Sequence, residues 1–491
     1  MKKNELTTKN TKGTKNKAYP NYKPSGVEWL GDVPEHWGVK RAGLAYSIQL
    51  GKMLQPDSSE AEDDQYEYLK ALHVQWETIQ TNDLPVMWAS NYEVSKYSIK
   101  RGDLLVCEGG EVGRCGILKE DLENVIIQNS LHRVRSKNNL NLFLMFVLEN
   151  AASKNWFDIL CNKATIAHFT GDKFSALRIP LPPPHEQQAI AAFLDRETGR
   201  IDTLIDKKQR LLELLAEQRT ALISATVTGK IDITTEDTEG TEKGNKQFRE
   251  FRAFRGYPKY KPSGVEWLGD IPKHWVVTEL RRFVRFITSG SRGWAEHYSD
   301  AGKIFVRIGN LTRHSIDIDL SDIQYVDPPE GAEGERTKIA SGDILFSITA
   351  YIGSVAVATE EIAGAYINQH IALVRPLIDK IYPRFVAYAG FSDYGQAQLS
   401  GQGYGGTKVQ LALDDVKSLR IALPPLPEQQ AIADFLDREM AKIDTLSAKV
   451  VTVIERLKEY RTALISSAVT GKINVSTCAE SAQVQGACND K

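Results

Sequence analysis

The sequence predicts a mixed α+β or α/β protein built from one unit used twice, a pseudo-two-fold internal repeat in which each copy ends on a long amphipathic helix. Three observations carry that expectation. A segment near the start returns near mid-chain, a helix-forming block returns near the end, and turn-into-strand fragments correspond between otherwise unlike middles.

The repeat comes first. Tyr19 to Trp37 returns as Tyr257 to Trp275, with differences only at Asn21/Lys259, Val33/Ile271 and Glu35/Lys273. Glu186-Gln187-Gln188-Ala189-Ile190 returns as Glu428 to Ile432, and Arg219 to Ser224 as Arg461 to Ser466. Each copy closes on Thr-Gly-Lys-Ile, at Thr228 to Ile231 and Thr470 to Ile473. A period this long exceeds any solenoid repeat. Leu44 to Lys96 bears little likeness to Val284 to Lys338, yet Gly102 to Val106 parallels Gly342 to Phe346, and Gly113 parallels Gly353. Glycine there marks a backbone bend into a strand. Constant ends with divergent centres suggest a fixed partner and a separate target for each centre.

The helices follow the prolines Pro182 to Pro184 and stop at Gly229 and Gly471. Apolar residues recur at Ile190, Leu194, Ile201, Leu204, Leu211, Leu215 and Leu222, and in the second copy at Ile432, Leu436, Ile443, Leu446, Val450, Val453, Leu457 and Leu464. Each helix covers about 40 residues, or ~60 Å. A stripe this long implies a coiled coil, most simply between the two copies. Phe193, Ile205, Leu212 and Leu214 widen it beyond one seam, enough for a docking surface on other proteins. The expected domains are a tail at 1–18, a first domain at 19–184, a helix at 185–230, a charged linker at 231–256, a second domain at 257–427, a helix at 428–473 and a tail at 474–491.

Composition narrows the function classes. The 491 residues, 42% hydrophobic and 25% charged, exceed one ordinary core and imply two to four domains. No apolar run reaches the ~18 residues of a membrane span, and Met1-Lys2-Lys3-Asn4-Glu5 leads into polar residues, so no membrane association and a cytoplasmic location are expected. Five cysteines without C-x-x-C or paired His read as reduced structural thiols, with no metal site. A net charge of −2 gives nucleic-acid binding no general support, so any phosphate-binding surface must be local.

Catalytic motifs are missing. No Gly-Lys pair has the glycine that a phosphate cradle needs five positions earlier. Gly401-Gln402-Gly403-Tyr404-Gly405-Gly406 matches a dinucleotide fingerprint but follows no apolar strand, and reads as a glycine-rich loop. Asp327-Pro328-Pro329-Glu330 lacks the aromatic that stacks on a flipped base, and Asp206-Lys207-Lys208 reads as a solvated helix face. A non-enzyme without its own cofactor is expected.

Candidate DNA contacts come from local chemistry. In the second copy, Arg281, Arg282, Arg285 and Arg292 cluster with Phe283, Phe286, Trp294 and Tyr298 around a loop holding Ser289 and Ser291. Guanidinium forks suit phosphates and guanine edges, and small residues allow close backbone approach. Lys52, Lys70 and Gln75 are the candidates in the first copy. Gln128 and Asn129, with Asn368 and Gln369, carry amides suited to adenine edges or to their own loop backbone.

These marks resemble the specificity subunit of type I restriction-modification systems. The resemblance rests on S-G-V-E-W-L-G-D-[VI]-P-x-H-W at Ser25 and Ser263, the E-Q-Q-A-I-A-x-F-L-D helix starts after Pro184 and Pro427, and Gly51-Lys52-Met53-Leu54 with Val74-Gln75-Trp76. It covers nearly the whole chain. It implies two target-recognition domains, each reading half of an asymmetric bipartite site in double-stranded DNA, held apart by an antiparallel pair of long helices. It also implies two modification subunits that carry S-adenosylmethionine and adenine methylation, joined by restriction subunits that use ATP and Mg. The alternative is a coiled-coil scaffold or adaptor without DNA specificity, which the near-neutral charge favours.

Overall fold

The computed structural model describes residues 18–161, 168–233, 256–290, 292–328, 332–349, 352–400 and 410–475. The chain divides into two compact units, Met1–Lys208 with Thr452–Lys491, and Gln209–Val451. Two long helices, α1 (Pro184–Val227) and α2 (Leu426–Val469), each contribute to both. The first unit holds the beginning of α1 and the end of α2, and the second holds the end of α1 and the beginning of α2.

Burial along the helices follows a heptad seam, shifted from the expected stripe. In α1 the buried positions include Leu194, Thr198, Ile201 and Ile205, while Leu204 is 40% exposed. In α2 they include Leu436, Met440, Ile443, Val450 and Ile454, while Leu446 is 44% and Val453 39% exposed. The shift has a simple cause. Thr198 occupies a seam position invisible to an apolar count, because its hydroxyl donates to the Leu194 carbonyl at 2.7 Å. The step from Thr198 to Ile201 is the short one, so the next seam residue lies four on, at Ile205. Ile190, Leu215, Ile432 and Leu464 are buried as expected, and Leu211, Leu222 and Leu457 are half-buried.

Both helices stop on a left-handed glycine, Gly229 at φ 72° and Gly471 at φ 71°. Lys230 N donates to the Ala225 carbonyl at 2.8 Å and Gly229 N to Thr226 at 3.1 Å, and Lys472 and Gly471 repeat the pair. The repeated N-terminal arm seals each end. Pro272 lies where a β-carbon on Gly229 would sit, and Pro34 does the same at Gly471. Tyr260 and Tyr22 donate their hydroxyls to the Gly229 and Gly471 carbonyls at 2.9 and 2.8 Å.

The same arm grips a helix start. Tyr19 Oη and Trp37 Nε1 donate to Glu186 Oε2 at 2.8 and 3.0 Å, and His36 Nε2 lies 2.7 Å from Oε1. Tyr257, Trp275 and His274 hold Glu428 at 2.6, 3.0 and 2.8 Å. Burial pushes the Glu186 carboxyl up, but the three donors outweigh it and hold it below its ordinary range. The constant segments are thus one clasp, which in each unit joins the start of one long helix to the end of the other.

The unlike middles share one sheet. In the first unit β1 (Tyr46–Leu50), β2 (Leu104–Cys107), β3 (Cys115–Ile117) and β4 (Leu131–Ser136) lie in the order β1-β4-β2-β3. In the second, β5 (Val284–Ser289), β6 (Ile344–Ser347), β7 (Val355–Val357) and β8 (Ile371–Pro376) lie in the order β5-β8-β6-β7. All these pairings are antiparallel, which makes the fold α+β rather than α/β. The glycines that announced strand entry have positive φ, 88° at Gly102 and 83° at Gly342. Each precedes a buried aspartate held by a two-pronged arginine, Arg135 on Asp103 and Arg375 on Asp343, at 2.7 to 2.8 Å.

The predicted loop 401–406, most of the linker, most of both tails, Cys478 and Cys488, and the end of the Asp327–Glu330 turn lie outside the described residues. Among the described residues, Cys107, Cys115 and Cys161 are free and buried, no acid, His or Cys group could hold a metal, and no helix is long and apolar enough to cross a membrane.

Candidate nucleic-acid interface

In the first unit three segments converge beyond β1. Gly51 N donates to the Leu131 carbonyl at 3.0 Å, Lys52 N to Ile127 at 2.8 Å, and Asn129 N to Lys52 at 2.8 Å. Gln128 N donates to Leu69 at 2.9 Å, and Ala71 N to Ser130 Oγ at 3.0 Å. A β-carbon on Gly51 would run into the Ile127 and Gln128 carbonyls, so glycine is what lets the segments close. Four of the predicted residues, Lys52, Lys70, Gln128 and Asn129, come from parts of the sequence far apart and meet here. Gln75 follows on the turn after Ala71–His73, with Nε2 on the Leu72 carbonyl at 3.2 Å.

The second unit repeats the frame with other side chains. Gly290 N donates to Ile371 at 3.1 Å and Asn368 N to Val306 at 3.1 Å, and a β-carbon on Gly290 would meet the Ile367 and Asn368 carbonyls. Arg307 N donates to Asn310 Oδ1 at 2.8 Å as Lys70 N donates to His73 Nδ1 at 3.1 Å. The frame therefore pairs Lys70 with Arg307, Gln128 with Asn368, and Asn129 with Gln369. Matching cores lie beneath it: Leu69, Leu105, Ile127 and Leu131 in one unit, Val306, Leu345, Ile367 and Ile371 in the other.

Side-chain pairing separates face from frame. Lys52 is only 6% exposed, and its ammonium binds Gln55 at 2.8 Å and Glu93 at 2.5 Å, which puts it in the frame. Burial pushes the Glu93 carboxyl up, but Lys52 and Ser90 overcome this and hold it low. Gln128 Oε1 accepts from Ser130 at 2.5 Å. Asn129 and Lys70 have no side-chain partner among the described residues, and both are half-buried with free polar groups. In the second unit Asn368 is 8% exposed and caps His370 N at 3.2 Å, while Gln369 Nε2 reaches His370 Nε2 at 2.9 Å. Arg307 bridges Asp322 at 2.8 Å.

The predicted arginine cluster does not form one site. Arg281, on the turn before β5, pairs with Glu279 at 2.7 Å and donates to Ser418 at 2.7 Å, and Arg282 is its exposed neighbour. Arg285 is exposed near the start of β5, whereas Ser289 ends it, roughly 13 Å away at ~3.3 Å per residue. Arg292 is exposed beside the frame, and Ser291 lies outside the described residues. Trp294 is not an interface aromatic. It is buried against Phe305 and Tyr366, with ring centroids at 5.8 and 5.3 Å. Arg307 and Asn310 were missed, because only the backbone register set by Gly51 and Gly290 reveals their equivalence to Lys70 and His73.

The chain is thus a duplicated α+β unit with one polar frame per copy, each unit clasped to the long helices. The family model for the type I restriction modification DNA specificity domain matches residues 54–214 and 275–456, and the chain belongs to that family. The chain is 23% identical over 321 residues to the type I restriction enzyme EcoBI specificity subunit of Escherichia coli, covering 65% of this chain and 63% of that subunit's length. It is 22% identical to the MjaVIII specificity subunit of Methanocaldococcus jannaschii across 90% of this chain and 94% of that one. A chain from a structure of the assembly and conformational transition of a type I restriction-modification system shares the fold, with TM-score 0.62 and 16% identity, covering 90% of this chain and 99% of that one.

Proposed function

We propose that the chain reads double-stranded DNA, each unit one half of a bipartite site, and directs companion modification and restriction subunits to it. The supporting observation is that one backbone frame occurs twice with different polar side chains on it, Lys70 and Asn129 against Arg307 and Gln369. Amides fit adenine edges and guanidinium forks fit guanine, so two faces on one frame give two readouts. The clasps and long helices, largely repeated between the copies, suit the task of docking two modification subunits. On this reading the chain is non-catalytic, and S-adenosylmethionine, ATP and Mg belong to the companion subunits in the cytoplasm.

The test is binding of the chain, assembled with its modification subunits, to a DNA library at physiological salt. Two short preferred sequences at fixed spacing are expected. Uniform binding across the library, or no steep dependence on salt, would instead favour the scaffold reading.

A further inference from the structure

The arm is repeated almost letter for letter, and two of its three differences, Asn21/Lys259 and Glu35/Lys273, fall at one place. In the second unit Lys259 and Lys273 line a cleft of about 720 Å³ with Tyr257, Pro258, His274 and Pro427. They face each other across the arm hairpin, with Lys273 N donating to the Lys259 carbonyl at 2.9 Å, one step beyond the paired Tyr260 and Pro272. Both side chains are exposed, and neither has an ion pair among the described residues. Like charges directly opposite on a β-pair repel. The first unit has the same backbone contact, Glu35 N to Asn21 at 3.1 Å, without that repulsion.

Two acids, Glu428 and Asp232, balance the lysine pair in formal charge with His274 neutral, yet neither lysine is ion-paired to them among the described residues. Glu428, on the cleft floor, already accepts from Tyr257 and Trp275 and meets His274. Asp232 shares the lining, and its counterpart in the repeat is Asn474. Four lining positions change: Lys259, Lys273, Asp232 and Pro427 in the second unit stand where the first has Asn21, Glu35, Asn474 and His185, which makes the second cleft two charges more positive with His185 neutral. The proline and tyrosine walls offer nothing to a phosphate backbone but match the side chains of a peptide.

We propose that this cleft takes an acidic segment of a partner protein and that the equivalent face of the first unit does not, so the two clasps dock differently. The inference rests on the reading that the constant parts form the docking face. The full chain is titrated with a labelled peptide, Asp-Glu-Phe-Asp-Glu-Leu, and with its Asn/Gln counterpart. The acidic peptide is expected to bind at least about tenfold tighter. K259N/K273E, which installs residues the first arm already carries, is expected to abolish that preference, and N21K/E35K to create a second site. Equal binding of the acidic peptide by wild type and K259N/K273E overturns the proposal. So does a loss of affinity for random-sequence duplex in K259N/K273E without loss of peptide binding, which would assign the lysines to phosphate. Half-site preference on DNA should be unchanged in K259N/K273E, so a failed peptide titration and a failed DNA-reading assay remain separate results.

Discussion

Arg461 Nε donates to Asp202 Oδ1 at 2.9 Å while the same guanidinium holds Glu149 and Glu77, so one cation in the first unit answers three carboxylates. The second unit distributes the charge differently. There Arg219 meets Asp444, and Arg384 grips Asp437 at 2.7 and 2.8 Å and Asp317 at 2.8 Å. Burial, with Glu77 alongside, pushes the Glu149 carboxyl up to about 7 despite Arg461, and its Oε2 has no hydrogen-bond partner. The folded state therefore holds this proton more tightly than the unfolded chain does. Its contribution is complete below the unfolded value of about 4.3 and is lost as pH rises through about 7. Glu149→Gln is expected to flatten the stability profile between those limits and to raise stability at pH 8 by about 1–3 kcal/mol. Urea unfolding across pH measures it, and a parallel offset at every pH would show that Glu149 does not titrate there.

Breaking a clasp should be more damaging. Glu186→Ala leaves the Tyr19 hydroxyl and Trp37 indole N–H without their acceptor in a buried site, and should cost about 2–4 kcal/mol. The wild-type carboxyl lies below its ordinary range, so its contribution is present above the unfolded value and fades as pH falls through the folded one. The variant's deficit should accordingly shrink in acid. Thermal unfolding at pH 7 and pH 3.5 gives the comparison, and a deficit equal at both would contradict it.

The clasp's residues stood out in the sequence as repeats, since Tyr19, Trp37 and Glu186 recur as Tyr257, Trp275 and Glu428, but that they bind one another is seen only in the structure. The helix seam was half visible, since Thr198 fills a buried position while Leu204 is exposed. The polar frame was partly visible, since Lys70, Gln128, Asn129, Asn368 and Gln369 stood out, but backbone groups bring its segments together and their register alone reveals Arg307 and Asn310. Arg281 and Ser289 looked like neighbours in sequence, but a strand carries them apart.

That distinction separates Lys52 from Lys70. Lys52→Met should lower stability by about 1–3 kcal/mol, because it leaves Glu93 without its cation, and should weaken DNA binding only through folding. Lys70→Ala should leave stability within about 0.5 kcal/mol and weaken DNA binding. Its effect should fall on the half-site read by the first unit, with Arg307→Ala acting on the other. Denaturation midpoints set beside half-site affinities resolve the pair, and a stable Lys52→Met with impaired DNA binding would move Lys52 onto the reading face.

The frame itself is tested at its glycines. Gly51→Ala drives a β-carbon into the Ile127 and Gln128 carbonyls, and Gly290→Ala does the same at Ile367 and Asn368. Backbone carbonyls cannot rotate away as a flexible side chain could, so the three segments must separate to admit the methyl. Each variant should lose one half-site by at least about tenfold, 1.4 kcal/mol, while the other keeps its preference. The clasps and helix seams do not touch either glycine, so the long helices should keep their far-UV signal. Selection of preferred sequences from a DNA library by Gly51→Ala and Gly290→Ala separately would show which half each frame reads. Loss of both halves in either variant would mean that the frames do not read independently.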